Sequence, residues 1–160
     1  MVDLNADLSG KDMHGADLSS EDLSGKDLSG ANLDSTNLSG ATLSKANLSG
    51  ANLNRANLSG AIMIGTNLFG ACMGNANLSG ACMDDAILHG AILIRADLTD
   101  AKLTRANLSG AILNHANLSG AKLDGAILRS TVLTDAKLDG ADLTDAKLTR
   151  AKLDGAKLDN

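Results

Sequence analysis

The chain has 160 residues, a single aromatic residue, no proline and a formal net charge of −5 at pH 7. A layered globular core of this length normally fills its volume with aromatic rings, so the composition argues against one. The net acidity and the lack of rings for base stacking also argue against direct nucleic-acid binding. The composition instead favours a narrow, stacked fold.

The first five residues lie outside the repeat that follows, because Leu4 precedes Leu8 by four residues rather than five. We interpret residues 1–5 as an N-terminal cap segment. From Ala6 to Asn160 the chain runs as 31 five-residue units without insertion, so residues 6–160 are predicted to form one repeat domain. The central residue is Leu in 27 units and Met in the other four, at Met13, Met63, Met73 and Met83.

The five-residue spacing of the leucines limits the secondary structure. In an α-helix each residue advances about 100°, so residues five apart form no apolar stripe. In a flat strand an odd spacing would send Leu48 and Leu53 to opposite faces. A chain that turns once per unit, always in the same sense, brings every leucine to one axis. The spacing therefore predicts an all-β fold, a β-solenoid.

Each position of the unit has its own chemistry. The residue two before the central Leu is nearly always Ala, and these two are predicted to form the core, while the residue between them faces outward. Ser-Gly commonly follows the Leu, and Gly suits the positive φ of a type II turn. At five units a basic residue replaces Gly, and there we expect a turn without positive φ, such as type I. These residues are Lys45, Arg55, Arg95, Arg105 and Arg150.

Residues 46–60 read ANLSG-ANLNR-ANLSG, three copies of the pattern A(D/N)LXX. The chain resembles the pentapeptide repeat family over residues 6–160. The resemblance implies a right-handed quadrilateral β-helix with four units per coil, about eight coils and roughly 37 Å of length at the usual strand spacing. Residues twenty apart would then stack, so each face can be followed as a column.

Two apolar surfaces emerge from these columns. One outward column becomes apolar towards the C-terminus, at Ile92, Ile112 and Val132, with Ile94 beside Ile92. The opposite face carries Ile62 and Ile64, with Phe69 around the next corner. We interpret both as candidate surfaces for a protein partner. The alternative is that β-branched residues simply favour stacked strands.

The two ends of the repeat differ in charge. Residues 1–40 hold eight acidic and two basic side chains, whereas residues 121–160 hold seven of each. The acidic end could attract a basic partner, or it could be a solvated rim that keeps the first coil soluble. The last units stay in register to Asn160, which predicts an open edge and a homodimer through the C-terminal coil.

No catalytic or cofactor-binding residue is expected. Cys72 and Cys82 would lie on opposite faces and should not pair, and His14, His89 and His115 are too far apart for a metal site. The serines lie at turns without a neighbouring base. No apolar run of 18 residues and no signal peptide is visible, so we expect a cytoplasmic protein and no contact with a membrane.

Two functions follow from these observations. The first is a non-enzymatic structural or protein-interaction scaffold with an unidentified protein partner. The second comes from the resemblance, because some family members mimic duplex DNA, bind DNA gyrase and protect it from quinolones. This chain departs from those members, since it has no Phe at a central position and is acidic mainly at one end.

Overall fold

The computed structural model describes Asp3, Leu4 and residues 6–159. Within these residues the chain forms neither helices nor strands longer than one residue. From the unit of Met13 to the unit of Leu153, the residue before the central one makes a β-bridge and a two-residue turn follows the central one. Of the predicted cap segment, Met1, Val2 and Asn5 lie outside the described residues. Leu4 is partly buried and packs against the core.

The β-bridges are parallel and join residues twenty apart, from the pair Asp12 and Asn32 to the pair Lys137 and Lys157. Since each unit has five residues, four units complete one coil. The chain is therefore a parallel solenoid, as the five-residue spacing predicts, with the four faces that the family resemblance implies. Faces I, II, III and IV contain the units centred on Leu8, Met13, Leu18 and Leu23, respectively, and every twentieth residue after these.

Backbone hydrogen bonds join each coil to both neighbours. Leu48 N–H donates to the carbonyl oxygen of Asn67 in the next coil at 2.7 Å, and Asn47 N–H donates to that of Lys26 in the preceding coil at 2.9 Å. The same pattern recurs in successive units along the rod. A residue without an N–H would break this ladder, which accounts for the absence of proline.

Each turn closes with its own hydrogen bonds. Ala51 N–H donates to the Leu48 carbonyl oxygen at 3.1 Å, and Ser49 N–H donates to Oδ1 of Asn47 at 3.2 Å. Gly50, the second central residue of the turn, has φ +65°. A four-residue turn with positive φ at only this position is type II, as predicted for the Ser-Gly units.

The expectation of a different turn at the basic residues is wrong. All five have positive φ, at Lys45 (58°), Arg55 (58°), Arg95 (57°), Arg105 (56°) and Arg150 (62°). At four of them the coil-to-coil ladder fixes the turn: Arg55 N–H, for example, donates to the Gly74 carbonyl oxygen at 2.9 Å just as the glycines do. At Arg150, in the last coil, the ladder acts through the preceding carbonyl, because the Thr149 oxygen accepts the Ser130 N–H at 2.9 Å. Left-handed backbone costs about 1–2 kcal/mol per residue. Changing the turn would cost this bond and the register of the stack.

The core is a column of central Leu or Met side chains with small side chains beside them. Leu33 and Leu98, for example, are completely buried, and so are Ala31 and Ala101. Three threonines replace the alanine and are also buried. Each hydroxyl donates to the carbonyl oxygen of a central residue: Thr36 to Met13 (2.9 Å), Thr66 to Leu43 (2.7 Å) and Thr131 to Leu108 (3.0 Å). The polar group is thus satisfied inside the core.

The two ends of the described core are built differently. In the first coil the alanine position holds Lys11 and Glu21, both exposed, which places charge at that end. In the last units Ala141 and Leu143 are only partly buried, and the Leu158 side chain is 48% exposed. The first end is therefore polar, whereas the other end is apolar.

Candidate interaction site

Apart from Leu158 at the C-terminal end, the large apolar side chains that are exposed lie near the middle of the rod. Those predicted from the sequence are Ile62, Ile64, Phe69 and Ile94, which are 39%, 44%, 53% and 38% exposed. The sequence analysis missed Ile87, which is 43% exposed. Ile87 could have been identified from the sequence, because it occupies the outward position of face I twenty residues after Asn67.

Face I brings several of these side chains together. Ile87 bridges Asn67 in the preceding coil, and Ile64 lies in the turn that leads into face I. In the turn that leaves face I, the rings of Phe69 and His89 stack with centroids 5.5 Å apart and an interplanar angle of 24°. We call Ile64, Phe69, Ile87 and His89 the face I patch. It spans two successive coils.

The second predicted surface is flatter and less exposed. Ile92, Ile112 and Val132 bridge one another in register on face II, and all three are half-buried. Ile94 projects from the turn between faces II and III. These contacts along the column account for much of the burial, so the preference of β-branched residues for stacked strands contributes here.

Charged residues border the face I patch at the corner from which Ile64 projects, where Lys45 Cγ would lie 3.8 Å from a Cβ on Gly65 and Asp84 and Asp85 follow in the next coil. Between Arg55 and Asp84 the chain has no charged residue. Side chains at the core of a protein interface are typically apolar or aromatic, and charged residues are depleted there. A partner that covers Phe69 and Ile87 would therefore present an uncharged surface to these two side chains.

A polar ladder on face III is satisfied internally. Asn37 Nδ2 donates to Asp17 at 3.0 Å and Asn57 Nδ2 donates to Asn37 at 3.3 Å. Ser79 Oγ donates to Asn77 Oδ1 at 2.7 Å. The outward Asp and Asn residues thus support the turns and one another.

Carboxylates on the first coils are ionised at neutral pH. The backbone N–H and hydroxyl of Ser9 lower the pKa of Asp7. The pKa of Asp17, of Asp22 and of Asp27 is lowered in the same way, by the hydroxyl and backbone N–H of the serine two residues later. These exposed groups give the N-terminal end a concentrated negative charge.

Ion pairs join neighbouring coils at the corners. Arg55 Nε donates to Asp34 Oδ1 at 3.0 Å and a second bond joins Nη2 to Oδ2, so Arg55 lowers the pKa of Asp34. His14 Nδ1 lies 3.5 Å from the same carboxylate. Arg105 binds Asp85 through two bonds of 2.9 and 2.7 Å. These pairs lie at the surface and contribute modestly to stability.

Among residues 3, 4 and 6–159, no cluster of His, Cys, Asp or Glu side chains is arranged to hold a metal ion. Cys72 lies on face II and Cys82 on face IV, and both are free. Over the same residues, none of the secondary structure is a helix of the length and hydrophobicity needed to cross a membrane.

The fold and its surfaces define a repeat solenoid with a dry core and outward-facing columns. The sequence model for pentapeptide repeats matches this chain in overlapping segments that together run from residue 5 to residue 160. The chain belongs to the pentapeptide repeat family. Proteins of this family form right-handed quadrilateral β-helices and generally serve as structural or interaction scaffolds, and the twenty-residue bridges agree with four sides.

Solved structures of the family resemble the chain over most of its length. Full-length QnrB1, a plasmid-mediated fluoroquinolone resistance protein, is 21% identical, with 94% of this chain and 90% of that chain covered and a TM-score of 0.47. HetL, involved in heterocyst differentiation regulation in the cyanobacterium Nostoc, is 34% identical over 92% and 84% of the two chains, with a TM-score of 0.27. Rfr23 from the cyanobacterium Cyanothece is 26% identical over 94% and 89%, with a TM-score of 0.26. A search of curated proteins returned no match.

Proposed function

We propose that the protein is a non-enzymatic scaffold that binds a protein partner through the face I patch. The observation that carries this proposal is the grouping of Ile64, Phe69 and Ile87, each 43–53% exposed, on two successive coils. Isolated apolar side chains are common on protein surfaces, whereas a contiguous group of large ones is typical of a binding surface.

The other predicted surface residues extend this patch around the rod. Ile62 lies on face IV before Ile64, and Ile94 lies in the same coil as Ile87. The half-buried column of Ile92, Ile112 and Val132 is a secondary surface in this proposal. Its side chains offer less area to a partner because they already cover one another.

The polar side chains are engaged in roles that support a scaffold. Ser109 Oγ donates to Asn107 Oδ1 at 2.7 Å, and Ser119 Oγ donates to Asn117 Oδ1 at 2.7 Å, so these hydroxyls brace turns rather than face a base. His89 stacks on Phe69. We place this scaffold in the cytoplasm, with residues 1–5 as its cap. A homodimer through the C-terminal coil, which would leave face I free for another protein, is a further proposal; it competes with the face I dimer inferred below, and cross-linking distinguishes the two.

Capture of partners from a cell extract tests the function. The Ile64→Lys, Ile87→Lys variant should lose a protein that the wild-type rod retains, because two charges would enter an uncharged contact. Asn77→Lys on face III is the matched control, since Lys137 occupies the same column and shows that lysine is accepted there. Identical protein sets for the wild type and the double variant would contradict the proposal.

The DNA-mimic function is a second proposal, supported by the ionised carboxylates of Asp7, Asp17, Asp22 and Asp27. Negative charge on a rigid rod can stand in for phosphates where an enzyme expects duplex DNA. A supercoiling assay with purified gyrase tests this proposal. Inhibition, or protection from a quinolone, that is lost when the four residues are replaced by Asn would support it. Unchanged supercoiling and drug sensitivity at micromolar protein would rule it out.

A further inference from the structure

We propose that the partner of face I is a second copy of this chain, packed antiparallel with face I against face I. This inference rests on the proposed function and identifies the partner of the same patch. It follows from the order of charges along the face. The outward column of face I, in chain order, is Asp7, Asp27, Asn47, Asn67, Ile87, Asn107, Ile127 and Lys147.

This column is acidic at one end, amide and apolar in the middle, and basic at the other end. Arg129 and Arg150 lie in the turns that follow Ile127 and Lys147 and add positive charge along one edge of this end, whereas Asp124 and Asp145 lie in the turns that precede the same two residues, along the other edge. Two copies packed in parallel would place like charges together. Two antiparallel copies place the acidic end of each against the basic end of the other, so charge complementarity selects this orientation.

The middle of the column sets the register. A two-fold axis between the coils of Asn67 and Ile87 places these two residues opposite each other across the interface. The same axis places Asp7 opposite Lys147 of the second copy, because both lie equally far from it along the rod. The partner is thus matched over the whole column rather than at one point.

This two-fold axis lies in the interface and runs across the two rods. A side chain at one edge of face I therefore faces the same edge of face I in the second copy. Phe69 of one copy therefore meets His89 of the other, and the stacked pair of each copy is covered by its symmetry mate. Asp27 lies opposite Ile127 of the second copy. Arg129 of that copy is two residues after Ile127, in the turn that follows it, so it comes near Asp27. The aromatic and apolar side chains form the centre of the interface, and the ion pairs form its rim.

Two other features favour a second copy. The contacts next to the axis, Asn67 with Ile87 and Phe69 with His89, bring no Asp, Glu, Lys or Arg under cover, whereas at the corner the same axis sets Ile64 against Asp84 of the second copy. Asp84 borders the patch at the corner, where its Oδ1 already accepts the backbone N–H of Thr104 at 3.0 Å. The strongly acidic first forty residues of the two copies lie at opposite ends of the dimer, which separates their charges.

Zero-length carbodiimide cross-linking of the purified protein reports the arrangement directly. Asp7 and Lys147 are 140 residues apart, which is seven coils or roughly 34 Å within one rod. A peptide that joins these two residues can therefore form only between copies. We expect this cross-link in a species that sedimentation shows to be a dimer. A monomer at high concentration, or links confined to the last units of two chains as a C-terminal dimer would give, would overturn the inference.

A charge exchange supplies the second test. Asp7→Lys and Lys147→Asp, each alone, should weaken the dimer on the order of tenfold, because each creates two like-charge contacts. Mixing the two variants should restore association, since each contact then joins opposite charges. Asp17→Lys and Lys137→Asp on face III are the matched control pair and should leave the dimer unchanged. Failure of the mixture to recover, or an equal effect on face III, would contradict this interface.

The two proposals can fail separately. If the chain is monomeric while Ile64→Lys, Ile87→Lys still abolishes capture of another protein, face I binds a different partner and only the present inference is wrong. If the dimer shows the Asp7 to Lys147 cross-link and no other protein is captured from the extract, the rod binds only a second copy of itself. The proposal of a different protein partner is then wrong.

Discussion

Asp100 Oδ1 lies inside the space that a Cβ on Gly120 would occupy, and Asp100 Cγ would be 3.3 Å from that Cβ. The two residues are stacked in successive coils at the same turn position, and Asp100 itself has φ +56°. The aspartate side chain therefore rests over a glycine that leaves room for it. This pair shows that one coil constrains the residue allowed in the next.

Gly120→Ala should destabilise the rod more than Gly60→Ala. Both glycines have positive φ, but nothing lies within 4 Å of a Cβ on Gly60. The extra cost at Gly120 is the displacement of the Asp100 side chain from its rotamer, about 0.5–1.5 kcal/mol. Urea unfolding measures both. In an Asp100→Gly background the two glycine substitutions should cost the same, and a persisting difference would show that the side chain is not the cause.

Lys45→Gly should stabilise the protein. Lys45 has φ 58°, a backbone conformation that costs about 1–2 kcal/mol for a residue with a side chain and little for glycine. The greater freedom of glycine in the unfolded chain offsets about 0.5–1 kcal/mol of this gain. The net effect should be a rise of roughly 0.5 kcal/mol in the free energy of unfolding.

The neighbouring substitution Ser44→Gly is the control for Lys45→Gly. Ser44 is not among the residues with positive φ, so glycine there brings only the entropic cost and should destabilise. Equal changes at the two positions in thermal unfolding would mean that backbone strain at Lys45 is negligible.

Leu98→Asp should abolish the folded stack, because Leu98 is completely buried and an unpaired carboxylate would enter the core. Leu98→Ala should cost about 2–5 kcal/mol through the cavity it leaves. Asn57→Ser should cost about 1 kcal/mol, since the side chain that accepts Ser59 N–H at 3.2 Å is shortened but stays polar and outside the core. Circular dichroism and urea unfolding distinguish these results, and comparable losses for Leu98→Asp and Asn57→Ser would show that inside and outside are misassigned.

Stability should fall at acidic pH. The pKa of Asp17 is lowered below its ordinary value of 3.8, first by the Ser19 hydroxyl and then by the Ser19 backbone N–H. A carboxyl with a lowered folded-state pKa contributes stability above pH 3.8, and this contribution is lost as the pH falls below 3.8 through the folded pKa. Asp22, Asp27 and Asp142 add to the effect for the same reason.

Asp17→Asn isolates the share of one carboxyl. The amide oxygen can still accept from Ser19 but does not titrate, so the variant should lose less stability than the wild type between pH 6 and pH 3. Unfolding midpoints at the two pH values provide the measurement. An unchanged pH dependence would mean that Asp17 makes no difference to the acid sensitivity.

Much of the fold could be predicted because one period governs it. A spacing of five fits neither helix nor flat strand, so Leu98 had to reach the same axis as Leu93 and Leu103, and all three are buried. The role of Asn57 was equally readable, since an outward amide two residues before a turn N–H is placed to accept from it. These features depend on residues close in sequence.

What only the tertiary structure decided depends on neighbours twenty residues away. Local preference alone would have put Arg55 in a turn with negative φ, yet the bond from its N–H to Gly74 in the next coil holds φ positive. The face I patch has the same origin, because Phe69 and His89 become a stacked pair only when the coils lie one above the other. The sequence by itself determined the repeating unit and its inside and outside. The conformation of individual turns and the grouping of surface side chains were decided by contacts between coils, whose energies no single unit contains.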